Sequence, residues 1–168
     1  MKTEVTEVRR RLARLAARYP YVLIDDILDV DTSARSIRAV KNYSFTEPYF
    51  AGHFPGNPVV PGVLLMMAVV QAAELARGGL PVKLLRARRF HFRSPVRPGD
   101  SLMIDLATEE QLDGEWTVRA SGSVRDEVCV KGTLVLGTAP VARRAPYAVG
   151  HESNGHWSSS RFLLSTGG

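Results

Sequence analysis

The chain has 168 residues, 45% of them apolar, and carries a formal net charge of +5. This length and apolar content suit one domain with a substantial core. The positive charge favours an acidic partner, and nucleic acid is the weaker choice because the arginines are dispersed without interleaved aromatic residues. A single cysteine, Cys129, excludes an internal disulfide and a cysteine-based zinc cluster, and it fits a reducing cytoplasm.

Residues 1–18 form a separate N-terminal segment, in which arginines are mixed with leucines and alanines. This composition predicts a short amphipathic helix over residues 4–17 and lacks the uninterrupted apolar stretch of a secretion signal. The longest apolar run, residues 63–70, is shorter than the roughly 20 residues needed to cross a bilayer. We therefore expect a cytoplasmic protein without a membrane span. Strand-like segments follow at residues 21–30 and 36–44.

Residues 52–61 form a loop rich in proline and glycine around one histidine, His53. Proline locks φ and glycine permits conformations that other residues avoid, so this loop holds the imidazole in a set position. A helix predicted over residues 62–77 begins directly after the loop and ends at Gly78-Gly79. Its first amides carry a partial positive charge and can bind a carbonyl oxygen or an anion close to the imidazole. A base beside an oxyanion site indicates acyl chemistry.

Four more strands are predicted after the helix, at residues 84–93, 101–111, 115–125 and 128–136, with a hairpin turn at Asp113-Gly114. Because the helix is apolar almost all round, we expect it to be buried. These elements predict an α+β domain with a mostly antiparallel sheet around one buried helix. Residues 138–168 are predicted to be a tail, flexible or docked on a neighbour, and the two histidines there lack the further ligands that a metal site needs.

The chain also contains several motifs in a fixed order: Ala39-Val40-Lys41-Asn42, Glu47-Pro48-Tyr49-Phe50, His53-Phe54-Pro55-Gly56, Pro61-Gly62-Val63-Leu64 and Pro98-Gly99-Asp100. In these motifs, residues 19–137 resemble the bacterial 3-hydroxyacyl-acyl-carrier-protein dehydratases of the FabZ type. The resemblance implies the hotdog fold, in which an antiparallel sheet wraps around one long helix. It also implies removal of water from a 3-hydroxyacyl thioester on an acyl carrier protein, without a metal or other cofactor.

By this resemblance, His53 is the general base, and the amide of Gly62, with Val63 beside it, forms the oxyanion and substrate site. Gln71 lies on the helical face of Met67 and is a candidate to orient a water or the acyl group. Two structural alternatives stay open: Gly62 only permits the turn, and Gln71 is a buried amide satisfied by backbone. Family members carry Glu or Asp at the position of Met67, and methionine neither donates nor accepts a proton. Glu74 lies about 10 Å farther along the helix, too far to replace that carboxylate.

In this family each active site is built across a dimer interface, with the histidine from one subunit and the carboxylate from the other. A homodimer of this chain would lack the acid in both sites, whereas a heterodimer with an acid-bearing paralogue would have one complete site. We therefore expect a dehydratase subunit of fatty-acid or polyketide-like biosynthesis; the alternative is a catalytically silent acyl-binding or scaffolding subunit. A hotdog thioesterase fits less well, since it too needs a carboxylate. The residues expected to recruit the acidic carrier protein are Arg86, Arg88, Arg89, Arg93 and Arg97.

Overall fold

The computed structural model describes residues 21–31, 33–110 and 114–140. The N-terminal segment of residues 1–18 lies outside these ranges, and so does nearly all of the tail over residues 138–168. The helix and the tail predicted there stay predictions.

The described residues form six strands, one long helix and one short 3₁₀ helix. Their bounds are β1 (Asp26–Asp31), β2 (Ser36–Asn42), the 3₁₀ helix (Pro48–Ala51), α1 (Gly62–Ala76), β3 (Val82–Phe92), β4 (Ser101–Glu110), β5 (Glu115–Val124) and β6 (Glu127–Thr138). The strands make one sheet in the order β1-β2-β4-β5-β6-β3, and each neighbouring pair is antiparallel. The predicted α+β class is confirmed.

The first strand differs most from its prediction, because β1 begins at Asp26 rather than at residue 21. The chain just before β1 runs past α1, where the Leu23 amide donates a hydrogen bond of 2.8 Å to the Gln71 side chain. The Leu23 amide is therefore hydrogen-bonded to a helix side chain rather than to the backbone of a neighbouring strand. The alternation of apolar residues in the sequence does not show which of these two partners a segment has.

The helix α1 is buried because its side chains are apolar on nearly all sides. Ala68, Ala72 and Ala73 have no exposed surface, and such small side chains let the helix lie close to the sheet. It packs against β2, β3, β4 and β5. The helix ends at Ala76, and the chain turns away at Gly78, as predicted, with a φ of +72° that is readily available only to glycine.

The strand register divides the sheet into an inner face, which covers α1, and an outer face. On β5, Trp116, Val118 and Ala120 belong to the core around α1, whereas Arg119 is exposed on the opposite face. The pairing of Arg119 with Thr133 extends the outer face onto β6. A sheet wrapped around one buried helix is the hotdog fold. No helix in the described part of the chain is long and apolar enough to cross a membrane.

Candidate active site

His53 is held by hydrogen bonds on both sides of its backbone and on its ring. Its amide donates to the Tyr49 carbonyl at 2.9 Å, and its carbonyl accepts from the Val59 amide at 2.9 Å. The ring nitrogen Nδ1 lies 3.0 Å from the Val59 carbonyl oxygen. Because a carbonyl only accepts, Nδ1 is the donor in this contact, and the neutral ring keeps a lone pair on Nε2. His53 is therefore a half-buried imidazole with one nitrogen fixed and the other able to accept a proton.

The loop around His53 has the defined geometry that its prolines and glycines predict. The Phe54 ring stacks on the imidazole with 4.2 Å between ring centroids. Gly56 has a φ of +75°, and the Asn57 amide closes the turn on the Phe54 carbonyl at 3.0 Å. Beyond the loop, the Arg97 guanidinium donates to the Asn57 side chain at 2.6 Å. The loop is thus tied both to itself and to the chain that precedes β4.

The N-terminus of α1 lies just after this loop and has amides that point out of the helix. Pro61 is the N-cap, no side chain caps the helix, and Leu64 makes the first hydrogen bond, 2.9 Å to the Pro61 carbonyl. The amides of Gly62 and Val63 precede that bond, which is the position from which a helix end binds a carbonyl oxygen. A pocket of about 320 Å³ opens here, lined by Val59, Val60, Gly62, Leu65 and Phe92, with residues 93–96.

Gly62 has a packing role that the sequence did not reveal. A Cβ at this position would lie 2.9 Å from the Phe92 ring, which is closer than side chains pack. The missing side chain therefore lets the ring of Phe92, at the end of β3, rest against the first turn of α1. Phe92 is 51% exposed. In the sequence, Phe92 is among the residues that resemble the FabZ-type dehydratases, but no sequence pattern indicates its contact with Gly62.

Met67 lies on the part of α1 that the sheet does not cover. Its side chain is 36% exposed and that of Val63, one turn earlier, is 62% exposed. Glu74 is 2% exposed, so it is enclosed by the core and does not reach this open face. The described residues also contain no cluster of three or more His, Cys, Asp or Glu side chains that would bind a metal. The described residues of this chain thus offer an imidazole at His53 and open amides at the start of α1, while the exposed position on α1 holds a methionine.

The side chain of Gln71 is hydrogen-bonded to the backbone of Leu23 and Tyr21. Its Oε1 accepts from the Leu23 amide at 2.8 Å and its Nε2 donates to the Tyr21 carbonyl at 2.6 Å, while the residue is 2% exposed. Both ends of the amide are therefore engaged. This geometry fits the structural alternative for Gln71 better than contact with a substrate.

The five arginines expected to recruit a carrier protein lie in different environments. Arg86 pairs with Glu115, and Arg97 is bound to the His53 loop. Arg89 and Arg93 line a groove of about 750 Å³ on the outer face of the sheet, called here the outer groove. Arg88 is exposed and pairs in register with Thr133 of the same face. Since Arg93 also borders the pocket at Gly62, it connects the outer groove with the candidate site.

Comparison with known proteins identifies the family. Residues 29–133 match the model of the ApeI-like family, described as ApeI dehydratase. The chain belongs to the ApeI-like dehydratase family. The 3-hydroxyacyl-[acyl-carrier-protein] dehydratase FabZ of Verminephrobacter eiseniae is 36% identical over 138 residues, which is 77% of this chain and 91% of that protein. FabZ of Magnetococcus marinus is 35% identical over 146 residues, covering 82% and 95% of the two chains.

Solved structures agree on the fold of this ApeI-like chain. The dehydratase heterocomplex ApeI:P from Xenorhabdus doucetiae superposes with a TM-score of 0.61 at 16% identity, covering 72% of this chain and 85% of that one. Cj0977 from Campylobacter jejuni superposes with a TM-score of 0.59 at 13% identity, covering 80% and 92%. At such identities the likeness establishes the hotdog fold alone. The family match over residues 29–133 includes His53, Gly62 and Met67.

Proposed function

We propose that this ApeI-like chain is a subunit of a 3-hydroxyacyl-[acyl-carrier-protein] dehydratase and that it needs an acid-bearing paralogue as its partner. The observation that carries the proposal is the state of His53, whose Nδ1 is bound to the Val59 carbonyl and whose Nε2 keeps a lone pair, in a loop that leads directly into the uncapped N-terminus of α1. The FabZ relatives, at up to 36% identity, act on substrates of this class.

The proposed reaction removes water from a 3-hydroxyacyl thioester. His53 Nε2 takes the α-proton, and the electrons of that C–H bond form the double bond as the β C–O bond breaks. An acid protonates the departing hydroxyl, which leaves as water, and the product is the trans-2-enoyl thioester. The amides of Gly62 and Val63 stabilise the thioester oxygen while it carries enolate charge.

The missing component is the acid, since Met67 holds no transferable proton. We propose that a paralogue supplies a Glu or Asp across a dimer interface, on the open face of α1 where Met67 and Val63 are exposed. Exposed apolar side chains of this kind are typical of surfaces that a partner covers. The ApeI:P neighbour is itself a heterocomplex, so the fold accommodates unlike subunits.

The direct test compares the purified chain with its complex with an acid-bearing paralogue. We expect the chain alone to turn over 3-hydroxyacyl carrier-protein substrates poorly and the complex to be active. In the complex, His53→Ala should abolish turnover. Its assembly, measured by light scattering, should be the same as that of the wild-type complex. Robust activity of a demonstrably pure homomer would contradict the need for a partner, and unchanged turnover of His53→Ala would place the base elsewhere.

We further propose that the acidic carrier protein docks near the end of the outer groove where Arg93 borders the pocket at Gly62, with Arg88 and Arg89 close by. Charge reversal at Arg89 or Arg93 should weaken carrier binding, and added salt should weaken binding to the wild-type protein, because exposed charges are screened. The matched control is Lys83→Glu, which makes the same charge change on β3, the strand of Arg89, but outside both pockets. Equal binding at low and high salt would exclude this surface.

A second function remains open because of Met67. A chain without an acid can bind an acyl group, or stabilise another enzyme, without catalysing a reaction. In that case the complex would be as active with His53→Ala as with the wild-type chain, and removing the chain would lower the stability of the partner. The His53→Ala complex therefore separates the two functions.

A further inference from the structure

Lys41 is a buried cation at the centre of a small charged cluster. It lies on β2 and is 6% exposed. Its Nζ is 3.2 Å from Asp25 Oδ1 and 3.6 Å from Glu47 Oε1. The Tyr43 ring covers it with 5.9 Å from Nζ to the ring centroid. One lysine thus joins two carboxylates that come from different segments of the chain.

Stability alone does not account for this cluster. Removing a lysine from water is costly, and well-packed apolar residues of similar volume often stabilise a fold as well as a buried ion pair does. A buried lysine does, however, fix the geometry of the groups bound to it. The segments that Lys41 joins therefore indicate its role.

The two carboxylates differ in what they hold. Asp25 is already fixed to β2, because its Oδ2 accepts from the Asn42 amide at 2.6 Å. Glu47 is the N-cap of the 3₁₀ helix but makes no capping hydrogen bond with its side chain, so its carboxylate is directed to Lys41. In that helix, the Tyr49 carbonyl accepts from the amides of Gly52 and His53, which follow the helix directly. Lys41 is thereby connected to the backbone of the proposed base.

The tyrosine of the 3₁₀ helix provides no competing polar anchor. Among the described residues, the buried hydroxyls of Tyr43 and Tyr49 have no hydrogen-bond partner. Burial, followed by the charges of Glu47 and Asp25, raises the pKa of Tyr49, which agrees with its position beside the cluster. The ion pair of Glu47 with Lys41 is then a polar side-chain link between the start of this helix and the sheet, in addition to the packing of Phe50 in the core.

We propose that Lys41 is a positioning residue, which sets the place of the His53 imidazole through Glu47 and the 3₁₀ helix. This inference rests on the proposed role of His53 as the base. Lys41 itself does not touch the reacting atoms. Its loss should therefore misplace a base that is otherwise chemically intact.

Kinetics of the active complex test the proposal with Lys41→Met, Lys41→Arg and Glu47→Gln. Because a displacement of about 1 Å at a reacting group lowers rates about 100-fold, we expect kcat of Lys41→Met to fall roughly 10- to 100-fold with KM changed less than about threefold. Lys41→Arg should retain most of the rate. Glu47→Gln should match Lys41→Met in kcat, and the double variant should be no slower than either, since both variants break the same ion pair between Lys41 and Glu47. Unchanged kcat in folded Lys41→Met or folded Glu47→Gln would overturn the proposal.

A measurement that does not depend on turnover tests the positioning role of Lys41 independently of the proposed function. The His53 ring proton that binds the Val59 carbonyl should give a downfield proton NMR signal, assigned by its loss in His53→Ala. We expect its exchange with solvent to accelerate at least about tenfold in Lys41→Met and Glu47→Gln, because local opening of the loop exposes it. The control is Arg125→Met, which removes the ion pair of Arg125 with Asp100. Because the Arg125 side chain is 86% exposed, this variant should leave the exchange rate of the signal unchanged. Equal exchange in wild type and Glu47→Gln would overturn the proposal whether or not the complex is active, and this variant decides the outcome if Lys41→Met does not fold.

Discussion

Replacing Met67 by glutamate should convert the homomer into at least a weak dehydratase. The family resemblance puts a carboxylate at this position of the helix, and the open face of α1 presents the side chain where a second subunit would meet it. In a homodimer of Met67→Glu, each subunit would supply the acid to the His53 site of the other. The change thus adds the one missing group to two sites at once.

The structure sets the size of the expected effect. A properly placed general acid raises a rate about 10²- to 10⁴-fold, which corresponds to about 3 to 5 kcal/mol in the barrier. Glutamate and methionine have similar helix propensities, and Met67 is 36% exposed, so the free energy of unfolding of the single chain should change by about 1 kcal/mol or less. A partner subunit that covers this face would bury the new carboxylate and make its ionised form costly. We therefore expect a gain toward the lower end of that range.

Turnover of a 3-hydroxyacyl carrier-protein substrate is compared for the wild-type homomer, Met67→Glu and Met67→Gln, each shown to be folded by circular dichroism. Adding His53→Ala to Met67→Glu should remove the gain, because the acid assists a reaction that the base begins. No gain from glutamate would refute the assignment of Met67 as the missing acid position and favour the silent subunit. An equal gain from glutamine would show that polarity, rather than proton transfer, was missing.

Three further predictions concern the fold around the site. Gln71→Leu should lower the free energy of unfolding by about 1 to 3 kcal/mol in urea titration, because it leaves the buried Leu23 amide and the partly buried Tyr21 carbonyl without their partner. Gly132→Ala should be destabilising by about 1 to 3 kcal/mol, since its Cβ would lie 2.5 Å from the Phe90 backbone, whereas Gly52→Ala, with open space around it, should be nearly neutral; equal stabilities would contradict this packing. The Cys129 thiol is 2% exposed and its burial raises its pKa, so alkylation at pH 8 should be much slower in the folded protein than in urea, and equal rates would show that the thiol is accessible.

The local features of this domain could be predicted from the sequence. The loop around His53 is specified within a few residues, because prolines, glycines and the hydrogen bonds of His53 with Tyr49 and Val59 determine it. The end of α1 before Gly78 is equally local. For the same reason, the strand limits after α1 follow from alternation and turn residues. These predictions succeed because the interactions behind them connect neighbouring residues.

The contacts that support the site from a distance could not be predicted in this way. Phe92 meets Gly62, and Gln71 meets Leu23, only after the sheet has closed around α1. Lys41 is a further case, since a lysine in an alternating strand is normally assigned to the solvent. Its burial depends on carboxylates that two other segments bring to it. Periodicity identifies which residues face inward but does not identify their partners.

The separation between local and distant contacts also agrees with the proposed site, in which this chain keeps the base and lacks the acid. The hydrogen bonds that orient His53 come from the backbone of residues 49–59, and none of them involves α1. Met67 lies on an exposed part of α1, so replacing a carboxylate there removes no contact of the imidazole. The two halves of the proposed site are therefore specified by independent parts of the fold. Physically, this independence allows two unlike subunits to contribute one half each.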